Sequence, residues 1–145
     1  MKLWLALAAA ATLGVLGYAQ QQSTSAGIHV DPAKVAEALA KGGTLVTRSD
    51  LIVQGSHRDK VGQVEVHDRE TDVLYILEGE ATFVYGGKMV GGKNSRPEQW
   101  LGTDITGGET HHVVKGDVFV IPAGVPHWFK EVPKSISYFV VKVIK

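Results

Sequence analysis

The sequence contains no cysteine. Disulfides, thiolate catalysis, cysteine-ligated zinc and a lipid-modified N-terminal cysteine are thereby excluded. It also lacks an excess of either charge, since 15 Lys and Arg balance 15 Asp and Glu. A chain so balanced has no bulk electrostatic drive toward nucleic acid or acidic membranes, and no nucleic-acid partner is expected. There is no internal repeat. The glycine pairs at 86–87, 91–92 and 107–108 lack the strand–loop–helix setting of a phosphate-binding loop, and no serine-centred nucleophile elbow is present. What remains is globular in proportion: 145 residues, 44% hydrophobic and 21% charged, which is one domain's worth of chain with room for its own core.

The one long uncharged run lies at the start. Met1-Lys2 is followed by Leu3 to Leu16 without a charge, then by Gly17-Tyr18-Ala19, with small residues at the −3 and −1 positions of a cleavage site. This pattern predicts a secretory signal peptide over 1–19, so that the membrane is met only during export and the mature chain works in the periplasm or outside the cell. Residues 20–30 are mostly small and polar and read as a flexible lead, leaving 31–145 as the folded domain.

Asp31-Pro32 supplies an N-cap and a first helical residue, Val35, Ala36 and Leu39 share a face, and Gly42-Gly43 end a short helix. After Gly43 the period changes. Short runs rich in Val, Ile, Tyr and Phe recur between Gly, Pro, Asp and Asn, which predicts an all-β domain of eight or nine antiparallel strands, a sandwich or barrel. Gly86 to Gly108 has no clear period and reads as a long excursion between two halves. Alternation puts Glu65 and His67 on one face, and Asp72, Leu74 and Ile76 on another shared face. The opposite face of that last strand, Val73, Tyr75 and Leu77, is apolar too and needs cover, which motivates a homodimer.

Polar residues therefore gather where a core is expected. Glu65, His67 and Asp72 fall within eight residues, and His127 follows a Pro/Gly turn, with Phe129 and Glu131 on its face by alternation. Two imidazoles and two carboxylates suit a divalent ion such as Mn, Fe, Zn or Ni. Without metal, the two carboxylates crowd one pocket and favour proton transfer next to a histidine. Of the remaining histidines, His57 is placed near the pocket mouth, only one of His111 and His112 can face inward, and His29 lies in the lead.

These two stretches resemble the two motifs of the cupin superfamily. The second motif, G-x5-P-x-G-x2-H-x3-N, is matched by Gly116, Pro122, Gly124 and His127, with Glu131 in place of Asn. The first, G-x5-H-x-H-x(3,4)-E-x6-G, is matched in spacing: Glu65 and His67 stand at the two His positions, Asp72 at Glu, and Gly79 closes it in a turn-like LEGEA. The resemblance covers roughly Thr44 to Lys145. It implies a jelly-roll β-barrel with one divalent metal ion held inside by Glu65, His67, Asp72 and His127. Glu131 and Glu65 are then the acid/base candidates for a reaction on a small organic molecule, of oxygenase, isomerase, lyase or decarboxylase type. The departure at Glu65 keeps a second expectation beside it, a non-enzymatic binder of a small, sugar-like molecule with a degenerate metal site.

Overall fold

A computed structural model describes residues 27–145, and the expected signal peptide and most of the lead lie outside them. The helix α1 spans Pro32–Lys41. Its cap is the expected one: the Asp31 carboxylate accepts from Ala33 N at 2.8 Å, and Gly42 ends the helix at φ 78°. The buried contact, however, is Ala38 rather than Ala36. Gly55 lies beneath it so closely that a Cβ there would fall 2.8 Å from the Ala38 carbonyl carbon. The missing side chain is what lets the helix reach the sheet.

Twelve strands follow: β1 Gly43–Thr47, β2 Leu51–Arg58, β3 Val64–His67, β4 Glu70–Tyr85, β5 Lys88–Val90, β6 Lys93–Arg96, β7 Gln99–Gly102, β8 Asp104–Thr106, β9 Glu109–Val114, β10 Val118–Ile121, β11 His127–Glu131 and β12 Ile136–Ile144. The all-β expectation holds, and every pairing is antiparallel. Ten strands form a single curled sheet of jelly-roll type. One half runs β1-β2-β12-β4-β10 and the other β9-β4-β11-β3-β7-β6.

The hinge of this arrangement is β4, 16 residues long. Its first part pairs with β12 and β10, and its second with β9 and β11. The sequence reads its middle, LEGEA, as a turn. In the structure the strand runs on through Gly79, at φ 82°, with a register shift against β12. A Cβ on Gly79 would lie 2.0 Å from Ser135 O, so only glycine fits the crossing. The inward side chains of both halves then meet in one core, with Phe83, Ile76, Ile136 and Val113 fully buried.

The stretch 86–108 also differs from expectation. It is built of β5 to β8, with β5 paired to β8, β6 to β7, and β7 hydrogen-bonded onto β3. Its period is invisible because each strand has only three or four residues. Gly55→Ala is expected to lower stability by about 1–3 kcal/mol in a urea titration, by forcing α1 off the sheet. Gly43→Ala, whose Cβ would meet only ordinary contacts near 3.7 Å, is expected to cost much less.

Candidate metal centre

Three strands and one turn assemble the polar cluster. In β3, Glu65 and His67 share the inward face, as alternation requires, and His67 is 4% exposed. His127 opens β11 directly across from Glu65. The turn before it is held by Gly124 N donating to His67 O at 2.8 Å, with Gly124 at φ 81°. Asp72 sits at the start of β4 on the face of Leu74 and Ile76, all three buried. The four residues expected from the sequence thus converge. Asp72 Oδ2 is 3.4 Å from His67 Nε2 and 3.7 Å from His127 Nε2, and Glu65 Oε2 is 3.6 Å from His67 Nε2.

Sequence reasoning missed the group at the centre. Lys142 of β12 lies directly opposite Asp72 of β4, so both side chains enter the same face. Its Nζ donates to both Asp72 oxygens at 2.9 Å and contacts His67 Nε2 at 3.1 Å. Glu70 Oε2 is 3.0 Å from the same ammonium, an ion pair outside hydrogen-bond alignment. The signal was available: Ile136, Tyr138 and Val140 are inward at period two, and Lys142 is next in that series. Glu70 follows from the same rule, two residues before Asp72.

The protonation pattern follows from the partners. His127 Nδ1 lies 3.2 Å from the Val125 carbonyl, which only accepts, so this nitrogen carries the proton and Nε2 presents its lone pair to the cluster. Burial pushes His127 below the usual imidazole value, against the opposing pull of Asp72, which keeps the ring neutral. Burial alone would raise Asp72. Its contact with His67 and the Lys142 ammonium outweigh that and hold the carboxyl below its ordinary value of 3.8. Nearer the mouth, Arg58 donates from Nη2 to Glu65 at 3.3 Å and from Nε to the Tyr138 hydroxyl at 3.0 Å. Gln54 and Ser56 join Arg58 along the pocket, which encloses about 100 Å³. Three or so waters would fill that volume.

Two sets of donors have the span for a cation, each with its atoms within 4.8 Å of one another: Glu65, His67 and His127, and separately His67, Glu70 and Asp72. The first set fits a divalent ion, being two imidazoles and a carboxylate beside open space. The second is filled by Lys142. Glu131, expected in the site from alternation, lies outside it. A bulge between Phe129 and Glu131 breaks the alternation of β11, and Glu131 is exposed, accepting from Thr82 Oγ1 at 2.6 Å. It therefore does not share His127's face and has no part in the pocket. His57 lies beside α1, bonded to Ser137 Oγ at 2.9 Å, rather than at the pocket mouth. His111 and His112 are both exposed, the first stacked on Tyr85 and the second beside Glu80.

The family model described as Cupin matches residues 16–143. No curated protein matches the sequence. Among solved structures, the chain is similar to BH2720 from Bacillus halodurans, at TM-score 0.51 and 15% identity over 70% of this chain and 68% of that one. It is similar to NMB1881 from Neisseria meningitidis, at TM-score 0.50 and 13% identity over 75% and 95%. A third likeness is to HppE in its iron(II) form, at TM-score 0.51 and 16% identity over 68% of this chain but only 48% of HppE. At these identities the shared feature is the fold.

Asp72→Asn removes the carboxylate that both accepts from and neutralises Lys142. About 3 kcal/mol of stability is expected to disappear at pH 7, as for other buried pairs broken on one side. In the parent, Asp72's contribution is complete above the unfolded carboxyl value and is lost as pH falls through its lower folded value. Urea titrations from pH 7 to pH 3 are therefore expected to show a flatter acid dependence in Asp72→Asn than in the parent.

Proposed function

The chain belongs to the cupin family, and from that premise we propose that it is an exported cupin-domain protein that holds one divalent ion between Glu65, His67 and His127 and offers it to a small organic molecule. The observation that carries this reading is the convergence of those three donor atoms, each within 4.8 Å of the others, on a polar pocket. Mn, Fe, Zn and Ni all suit two imidazoles and a carboxylate. When bound, such an ion supplies Lewis acidity to a carbonyl or enol oxygen, the step from which oxygenase, isomerase, lyase or decarboxylase chemistry proceeds.

The chain's own residues prepare the site. The Val125 carbonyl fixes the His127 ring so that Nε2 faces inward. Arg58 holds the Glu65 carboxylate from the mouth side and fixes the Tyr138 hydroxyl. Gln54, Ser56 and Arg58 make the pocket wall polar, which favours an oxygen-rich or anionic molecule over an apolar one. The small volume suits a group of a few heavy atoms in the pocket, with any larger part left at the mouth.

A second reading has its own support. Glu65 already has Arg58 and Asp72 already has Lys142, so both carboxylates are neutralised without metal. On that reading the protein is a metal-free binder of a small, sugar-like molecule. We further propose that the chain is a homodimer. In support, Tyr75, Val118 and Val120 are 46%, 60% and 60% exposed on neighbouring positions of β4 and β10, an apolar face that α1 leaves uncovered. Export rests on the Met1–Ala19 pattern.

Elemental analysis of Gln20–Lys145, purified without chelator, is expected to return close to one Mn, Fe, Zn or Ni per chain. His127→Ala is expected to lose that ion while its circular dichroism stays that of the parent. A parent that remains metal-free after reconstitution selects the second reading. Light scattering at micromolar concentration is expected to give twice the chain mass, falling to the single-chain mass in Val120→Lys; a monomeric parent would refute the dimer.

A further inference from the structure

We infer that the cluster contains a second, buried divalent-cation site made of His67, Glu70 and Asp72, and that Lys142 keeps it from metal by serving as its permanent cation. The inference rests on the proposed metal reading in one respect, because His67 belongs to both donor sets.

The ammonium stands where such an ion would stand. One nitrogen contacts all three residues: both Asp72 oxygens at 2.9 Å, Glu70 Oε2 at 3.0 Å and His67 Nε2 at 3.1 Å. Those are hydrogen-bond lengths, longer than the ~2.0–2.2 Å of a coordinated divalent ion, so an ion in its place needs only a small inward shift of the donors. The donors are mutually within 4.8 Å, and His67 and Asp72 are each 4% exposed. Lysine does not satisfy the set completely. His67 Nδ1 and Glu70 Oε2 are buried, 3.5 Å apart, and neither has a hydrogen-bond partner.

Charge accounts for the exclusion. Arg58 and Lys142 stand against Glu65, Glu70 and Asp72, leaving a single negative charge around the pocket. Without Lys142 the surplus is two, the charge of one divalent ion. The lysine also crowds the outer donor set, because it lies 3.1 Å from His67 Nε2, the ring nitrogen nearest Glu65. Replacing Lys142 by an uncharged side chain of similar length should therefore do two things. It frees His67 for metal, and it leaves Glu70 and Asp72 without a cation beside them, so that the inner set is open to an ion.

The test is Mn²⁺ titration by calorimetry, with melting temperatures taken with and without 1 mM Mn²⁺ (roughly a hundredfold excess over a ~10 μM site), on the parent, Lys142→Met and Lys142→Met/Asp72→Leu. Lys142→Met is expected to bind Mn²⁺ at least tenfold more tightly than the parent and to gain more in melting temperature. The double variant is expected to lose that gain. If Lys142→Met does not fold alone, added Mn²⁺ is expected to restore its circular dichroism. Equal affinity in parent and Lys142→Met overturns the inference and leaves the outer site standing. Binding by Lys142→Met alone, lost again in the double variant, supports the inference and removes the outer site from the parent; binding that survives Asp72→Leu places the ion in the outer set and overturns it. No binding by either, or a Lys142→Met chain that stays unfolded in Mn²⁺ while the double variant folds, overturns it.

Discussion

A single strand passing unbroken between two halves of a curled sheet governs the rest of this molecule. β4 enters with Glu70 and Asp72 facing the pocket and leaves with Ala81 and Phe83 in the apolar core. The register shift against β12 leaves Leu77 as an extra residue and changes the inward series from Asp72, Leu74 and Ile76 to Ala81 and Phe83, so the polar end and the apolar end occupy one continuous interior. Gly79 makes the passage possible, since any side chain there would collide with the Ser135 carbonyl. The strands on either side take their positions from β4. β12 brings Lys142 opposite Asp72, and β11 brings His127 next to the end of β3.

The pocket that results is polar by construction and close to electrically balanced. Three carboxylates face two cations at separations of 2.9–3.3 Å, and two imidazoles lie between them. Burying such charges costs free energy that only mutual pairing offsets. That explains why each carboxylate has a basic partner from a different strand: Arg58 from β2 for Glu65, Lys142 from β12 for Asp72 and Glu70. A site arranged this way is rigid at its base and more accessible at the Arg58–Glu65 end, where the side chains keep 29% and 26% of their exposure.

Much of this was legible from residue types at fixed spacing. Asp31-Pro32 and Gly42 mark both ends of the helix through their own backbone preferences, and the all-β rhythm follows from period two. Alternation and a Pro/Gly turn are enough to place His67, Asp72 and His127 inward. The failures also have physical causes. Alternation misplaces Glu131 because a bulge adds one residue to β11 and reverses the side chain after it, which no local pattern announces. LEGEA looked like a turn because glycine serves a reversal and a crossing strand equally well. Nothing local in SYFVVKVI distinguishes a buried Lys142 from an exposed one. Its burial depends on Asp72, 70 residues away in the chain.

The strand β10 has a consequence for solubility. It pairs only with β4 among the described residues, so its other edge offers unpaired backbone groups next to exposed Val118 and Val120. Edges of that kind recruit further strands and seed aggregates when they are long. Here the edge is only four residues, about 13 Å, and Pro122 follows at once with no N–H to extend the ladder. The same proline that shapes the turn leading to His127 thereby also limits the length of sticky edge that the protein shows to its neighbours.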